Sequence, residues 1–240
     1  MTDDNDTTGE GRTDERTHTA TDDADDGGNG VVEPQPITPA APESFGRVQV
    51  WWGDGKGKTT AAMGMGLRAA GHGYRVHLLQ FMKGGAASVE DVRGEYNAIA
   101  ALPGFSYENS GHYGWHGSLD GTQETDHAAR AEAGLDRARE LLAAADEADP
   151  TTQRPLAAPP EAGVHMLVCD EILYAANRDL IDPADVVALI DEKPANLELV
   201  LTGGHEEPTY ATSEADLVTN VRKDRHHFDE GGRARKGTEF

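Results

Sequence analysis

Gly53-Asp54-Gly55-Lys56-Gly57-Lys58-Thr59-Thr60, residues 53–60, decides the fold of this 240-residue chain. Arg47–Trp52 (RVQVWW) before it reads as a strand, and Lys58–Ala70 after it reads as a helix dense in Ala, Gly and Met. Strand, Gly-rich loop and helix in that order are the setting of a phosphate-binding P-loop. Glycines let the backbone turn sharply and present N–H groups to phosphate oxygens. The helix N-terminus adds the positive end of its dipole. Lys58 supplies a mobile cation, and Thr59 supplies a hydroxyl for Mg²⁺ or Mn²⁺. Gly53, Asp54, Gly55, Lys56, Gly57 and Thr60 complete the expected nucleotide-binding set. The form GxxxxGKS/T wants glycine five positions before Gly57, and that position is Trp52. The loop is therefore one residue tighter, a change able to hold phosphates in a different register.

Outward from the loop, strand and helix patterns alternate. Tyr74–Phe81 (YRVHLLQF), Val164–Cys169 (VHMLVC) and Leu197–Thr202 (LELVLT) read as strands, with a weaker one at Leu217–Val221. Val89–Leu102, Thr122–Ala148 and Pro183–Asp191 read as helices. Asp182 stands where an N-cap belongs, ahead of Pro183 in the first turn. Thr151–Gly163, with three prolines, reads as an inserted loop. The expectation is an α/β fold: a P-loop NTPase-like, mostly parallel sheet flanked by helices. Residues 1–45 are low in complexity and too poor in apolar residues to offset chain entropy. They read as a disordered acidic tail ahead of one domain, 46–240.

Composition narrows the function. The formal net charge is −22, which argues against nucleic acid as a partner. The tail carries 12 acidic and 2 basic residues, so the remaining 31 and 19 still leave the domain acidic. With 6 Lys against 15 Arg and abundant Ala, the pattern reads as salt adaptation, where screening makes an acidic surface tolerable. The single cysteine, Cys169, excludes an internal disulfide and reads as a core residue. No apolar run reaches membrane length, and the N-terminus lacks the apolar stretch of a signal peptide. The expectation is a cytoplasmic protein that makes no membrane contact.

Asp170 and Glu171 end an apolar strand, where carboxylates face a P-loop across the carboxyl edge of a parallel sheet. One of them would hold Mg²⁺ directly or through water. Lys83 ends the second strand on that edge and reads equally as a phosphate contact or a surface lysine. His226-His227 is read as structural, because adjacent histidines rarely face one ion. Tyr113 and Trp115 sit in a Gly-rich loop and read as a ligand-facing surface.

The ordered blocks resemble the P-loop type of cob(I)alamin adenosyltransferase, the corrinoid adenosyltransferase family. GDGKGKTTAAMGMGLRAAGHGYRV resembles its opening, VHLLQFMKG its second strand, GHYGWHG its aromatic segment and VCDEILYA its acidic strand end. LVLTGGHEEP, ADLVTNV and HHFDEGGRARKGTEF resemble its C-terminal blocks. The resemblance covers roughly Arg47 to Phe240. It implies a homodimer that binds MgATP with the triphosphate reversed in the loop. It implies attack by Co(I) of a corrinoid on the 5′ carbon of ATP, with inorganic triphosphate leaving. Lys58 and Glu171 would act on the leaving group. Tyr113 and Trp115 would help displace the corrinoid's lower ligand, so that a flavoprotein or other reductase can deliver Co(I). Two departures stand out: the family's TGR is Thr202-Gly203-Gly204 here, which moves any arginine role, with His205 the nearest substitute; and the usual Phe–Trp pair is Tyr113–Trp115. The competing expectations are a P-loop kinase or ATPase, and a nucleotide-gated interaction protein. The latter usually carries a signature lysine at the start of the loop, whereas Lys56 directly precedes Gly57.

Overall fold

The computed structural model describes residues 33–82, 94–111 and 124–239. The described strands are β1 (Val48–Trp52), β2 (Val76–Gln80), β3 (Phe105–Asn109), β4 (Met166–Asp170), β5 (Glu198–Thr202) and β6 (Leu217–Asn220). They form one sheet in the order β3-β2-β4-β5-β1-β6. Every pairing is parallel. The helices are α1 (Lys58–Gly71), α2 (Gly94–Ala101), α3 (Glu124–Ala148), α4 (Ile172–Asn177), α5 (Pro183–Glu192) and α6 (Thr209–Thr212).

Helices cover both faces, which is why β2, β4 and β5 are buried along their whole length and read as continuous apolar runs. On one face α1 and α2 pack Ala62, Ala69 and Ile99 against Val76, Leu78, Val168 and Val200. On the other, α3 and α5 pack Leu141, Leu142 and Leu189 against Leu79, Leu167, Leu199 and Leu201. Cys169 lies in that second core, where burial pushes its thiol up to about 12. Asp182 caps α5, accepting a hydrogen bond from the Ala184 N–H at 2.8 Å.

The expected α/β architecture is present, with local differences. β3 was not anticipated: FSYEN is short, half polar and paired on one side only. α4 follows β4 with only Glu171 between them, too abruptly for a periodicity reading. The helix expected over Val89–Leu102 is described as Gly94–Ala101, its first residues lying outside the described range. The expected loop at Thr151–Gly163 includes a single 3-10 turn, Pro160–Ala162. One compact unit spans Pro36–Phe240. Pro42 is buried, and the Ala40 N–H donates to the Gly73 carbonyl at 3.0 Å. Extended backbone can dock on a turn without any periodicity of its own. No helix among the described residues is long and apolar enough to cross a membrane.

Candidate functional site

On the face covered by α1 and α2, four adjacent strands, β3, β2, β4 and β5, share one pattern: two inward residues, then a polar one. The sets are Val76-Leu78-Gln80, Phe105-Tyr107-Asn109, Met166-Val168-Asp170 and Glu198-Val200-Thr202, the last opening on a buried acid. The registers align Gln80 with Asn109 and with Asp170. The result is a polar row along the carboxyl edge. Asp170 is fully buried. Its Oδ1 accepts from the Thr202 hydroxyl at 2.7 Å, and its Oδ2 accepts from Gln80 Nε2 at 2.8 Å and the Thr59 hydroxyl at 3.2 Å. A buried carboxylate requires such donors. Thr59 sits in the first turn of α1, which crosses above β5 and β4. Its hydroxyl proton goes to Asp170, so toward a cation its oxygen acts through its lone pairs.

The loop is held from behind. The Gly53 N–H donates to the Gly204 carbonyl at 3.0 Å, and the Gly55 N–H donates to the Val221 carbonyl at 2.7 Å. A Cβ on Gly53, whose φ is +120°, would lie 2.3 Å from the Val221 oxygen, so only glycine fits. Asp54 turns outward, and its carboxylate accepts from the Lys223 N–H at 3.0 Å. The Lys56 ammonium lies 5.2 Å from the Phe228 ring centroid. Residues 221–228 thus clamp the loop. Gly57, at φ +109°, offers no side-chain cap to α1, so the first-turn N–H groups are available to an anion.

Lys58 is nearly buried, and its Nζ donates to the carbonyls of Gly53 at 2.6 Å and Gly55 at 3.0 Å. Burial lowers its pKa from the ordinary lysine value, opposed by the negative charge of Glu171. Glu171 is half-buried and left-handed, with φ +64°, a conformation costing a non-glycine residue on the order of 1–2 kcal/mol. Its N–H donates to the Thr202 hydroxyl at 3.0 Å, so one threonine orients both acidic residues. Thr59, Asp170 and Glu171 present only hard oxygen donors, a set suited to Mg²⁺ or Mn²⁺ sharing its shell with phosphate and water. Beside the loop lies a groove of about 530 Å³ bordered by Trp52, Asp54, His205 and Arg222. His205 is exposed and packs on Tyr174 with ring centroids 5.4 Å apart.

The structure brings together Lys58, Thr59, Asp170 and Glu171. Thr60 is exposed on α1. Gly53, Asp54 and Gly55 were expected to bind nucleotide; the bonds that the Gly53 and Gly55 N–H groups and the Asp54 carboxylate make shape the loop. Lys83, Tyr113 and Trp115 lie outside the described residues. His226 accepts from the Phe228 N–H, and His227 contacts the Arg233 carbonyl. Sequence reading missed Gln80, Tyr96, Thr202 and the 221–228 clamp. For Gln80 and Thr202 a signal existed, a polar residue closing an apolar period-two run; the clamp pairs residues 169 apart in the chain and leaves no local mark.

A parallel sheet, a P-loop at the end of β1 and a carboxylate at the end of β4 define a P-loop nucleotide-binding protein. Residues 44–240 match the family model described as ATP:corrinoid adenosyltransferase BtuR/CobO/CobP. The chain belongs to that family. It is 33% identical over 201 residues to a corrinoid adenosyltransferase of Pseudomonas aeruginosa, covering 83% of this chain and 86% of the relative. It is 30% identical over 207 residues to the corrinoid adenosyltransferase CobA of Salmonella typhimurium, covering 83% and 88%. A corrinoid adenosyltransferase of Sinorhizobium is 32% identical over 202 residues, covering 81% and 80%.

Proposed function

We propose that this protein transfers the 5′-deoxyadenosyl group of ATP to the Co(I) of a corrinoid, in adenosylcobalamin biosynthesis or salvage. The Co(I) electron pair forms the bond to the 5′ carbon, and the carbon–oxygen bond breaks with its pair going to triphosphate. The observation that carries this reading, within the family, is the placement of Lys58 and Thr59 beside Asp170 at the carboxyl edge. That arrangement offers charge stabilisation to a leaving triphosphate and needs no nucleophile from the protein, because Co(I) is the nucleophile. The protein's task is alignment and stabilisation of the leaving charge. Lys58 and the first-turn amides of α1 bind phosphate oxygens. Thr59 would hold a divalent cation, Asp170 orients Thr59, and Glu171 would supply a further oxygen to it. The cation, when bound, withdraws charge from the leaving oxygen.

The amides of Gly53 and Gly55 are engaged with Gly204 and Val221, which confines the cradle to residues from Lys56 onward. That supports a triphosphate seated in a shifted, reversed register. Tyr113 and Trp115 face the corrinoid and displace its lower ligand, easing reduction by a flavoprotein or other reductase. His205 and Arg222, on the groove beside Gly53, take the part of the arginine missing at Gly204. Lys83, three residues after β2 in the sequence, contacts phosphate. The protein works as a cytoplasmic homodimer, with residues 1–35 as a solubilising acidic extension. Chemically reduced corrinoid, mixed with ATP, Mg²⁺ and protein, should give a new visible spectrum that is lost on illumination, since a cobalt–carbon bond is photolabile. A spectrum unchanged by ATP would reject the assignment.

A further inference from the structure

The polar row does not stop at Asp170. Asp170, as a carboxylate, can only accept hydrogen bonds, so Gln80 must turn Nε2 toward it and Oε1 away. Oε1 then accepts from the Tyr96 hydroxyl, 2.6 Å distant. The direction of each bond is fixed by the one before it: Tyr96 O–H to Gln80, Gln80 N–H to Asp170. Gln80 is fully buried and Tyr96 is 7% exposed. The Tyr96 ring stacks on Tyr107 with centroids 4.5 Å apart and planes 6° apart. Tyr107 is on β3 and Tyr96 on α2, so the hydroxyl is anchored by packing independent of its hydrogen bond. Asn109 adds a contact to the same hydroxyl at 3.3 Å.

The consequence lies at Thr59. Asp170 Oδ2 receives both Gln80 Nε2 and the Thr59 hydroxyl, and Thr202 holds the other oxygen. With its plane fixed by Gln80 and Thr202, the carboxylate takes the Thr59 proton from one direction. The orientation of the Thr59 hydroxyl is set with it. Without Gln80, the carboxylate can rotate and the hydroxyl loses its orientation. We propose that Gln80 and Tyr96 are positioning residues for the divalent cation of the nucleotide complex, acting through Asp170 and Thr59. This rests on the nucleotide reading of the loop given above. Groups behind a metal ligand typically affect affinity about 10–100-fold, whereas loss of one neutral hydrogen bond is worth roughly 2- to 13-fold.

The test is Mn²⁺ binding to the full chain with ATP, followed by electron paramagnetic resonance. Tyr96→Phe keeps the stacked ring and removes only the hydroxyl. It should weaken Mn²⁺ in the ATP complex roughly threefold. Gln80→Met keeps length and volume, and should weaken it about tenfold. Metal-free ATP binding should stay within about twofold of the parent in both, as expected for groups that touch no phosphate. A purely structural role would lower the melting temperature without moving Mn²⁺ affinity. Unchanged Mn²⁺ binding in the folded variants would overturn the proposal; should Gln80→Met not fold, Tyr96→Phe decides alone. If the parent protein holds no Mn²⁺ with ATP, the nucleotide reading falls and the positioning role falls with it. If the parent binds Mn²⁺·ATP and the variants match it, only the positioning role is lost.

Discussion

At the amino end of the sheet, Arg75, His165 and Glu198 are buried; at the carboxyl end, Asp170 and Lys58 are. The amino-end groups bond mainly to backbone. Arg75 donates to the carbonyls of Gly163, Ala158 and Pro159, and its own N–H donates to His165 Nδ1 at 2.9 Å. His165 Nε2 lies 3.0 Å from the Thr152 carbonyl. Glu198 accepts from the Gly46 and Arg47 N–H groups at 3.0 and 2.9 Å. These contacts fasten the 151–163 loop and the chain entering β1. At the carboxyl end the Asp170 bonds run side chain to side chain and finish at Thr59, while Lys58 Nζ reaches the loop carbonyls of Gly53 and Gly55. One end uses buried charge to close the fold, and the other uses it to aim groups at a ligand. Changes at the two ends should therefore separate activity from stability.

The largest effect should come from Lys58→Ala. Removing a positioned electrostatic donor typically costs roughly 100- to 1000-fold in rate. Adenosyl transfer should fall by that order, while the two loop carbonyls that lose the ammonium cost a smaller share of stability than the Arg75 change below. Turnover near normal would misplace the phosphate site.

Arg75→Met should do the reverse. The apolar stem is kept, but three carbonyl partners lose a charged donor. Hydrogen bonds to charged groups contribute about 1.5–3 kcal/mol each at most, and carbonyls freed into solvent recover part of that. A loss of about 3 kcal/mol in stability is expected, with kcat within about twofold. A large kcat loss in folded protein would erase the distinction between the two ends.

His77 gives a pH test of the amino end. It is fully buried on β2, 2.9 Å from the Ser106 hydroxyl, with Nε2 3.8 Å from Glu108. Arg137 from α3 pairs with Glu108 and Glu161. Burial, opposed by Glu108, lowers the His77 pKa to about 4. The folded state therefore stays neutral where the unfolded chain binds a proton. Stability should be full above about pH 6.5 and fall as pH drops toward 4, by an amount on the order of 1–3 kcal/mol. Urea midpoints across that range should show it, and His77→Gln should flatten the profile. An unaltered profile in the variant would assign the acid sensitivity elsewhere.

These contrasts were legible in the sequence to different degrees. The loop, Thr59 and Asp170 could be read because a P-loop and an acid-terminated strand are local patterns. β2, β4 and β5 could be read because both of their faces are buried. β3 could not, since an edge strand with Ser106, Glu108 and Asn109 has no continuous apolar run. Glu171 was expected as a simple strand-end acid, and its left-handed turn into α4 depends on Thr202, 31 residues later. Arg75 lies inside the strand expected over Tyr74–Phe81 and carries no local sign of its role, because its partners are carbonyls 83 to 88 residues away. Side-chain alternation gives the face of a residue, not the tertiary partner it meets.

The smallest effect concerns the N-terminal segment. Deleting residues 1–35 should shift the melting temperature in high salt by less than about 2 °C. Deleting 1–40 removes the Ala40–Gly73 bond and should cost about 1 kcal/mol more. Equal effects would show that residues 36–40 contribute nothing to the domain.

The central claim concerns which bond of ATP breaks. Phosphorus NMR of a reaction containing ATP, Mg²⁺, chemically reduced corrinoid and the full chain reads it directly. Adenosyl transfer predicts inorganic triphosphate appearing in step with a light-sensitive corrinoid. ADP as the corrinoid-dependent product, with no light-sensitive species, would contradict it.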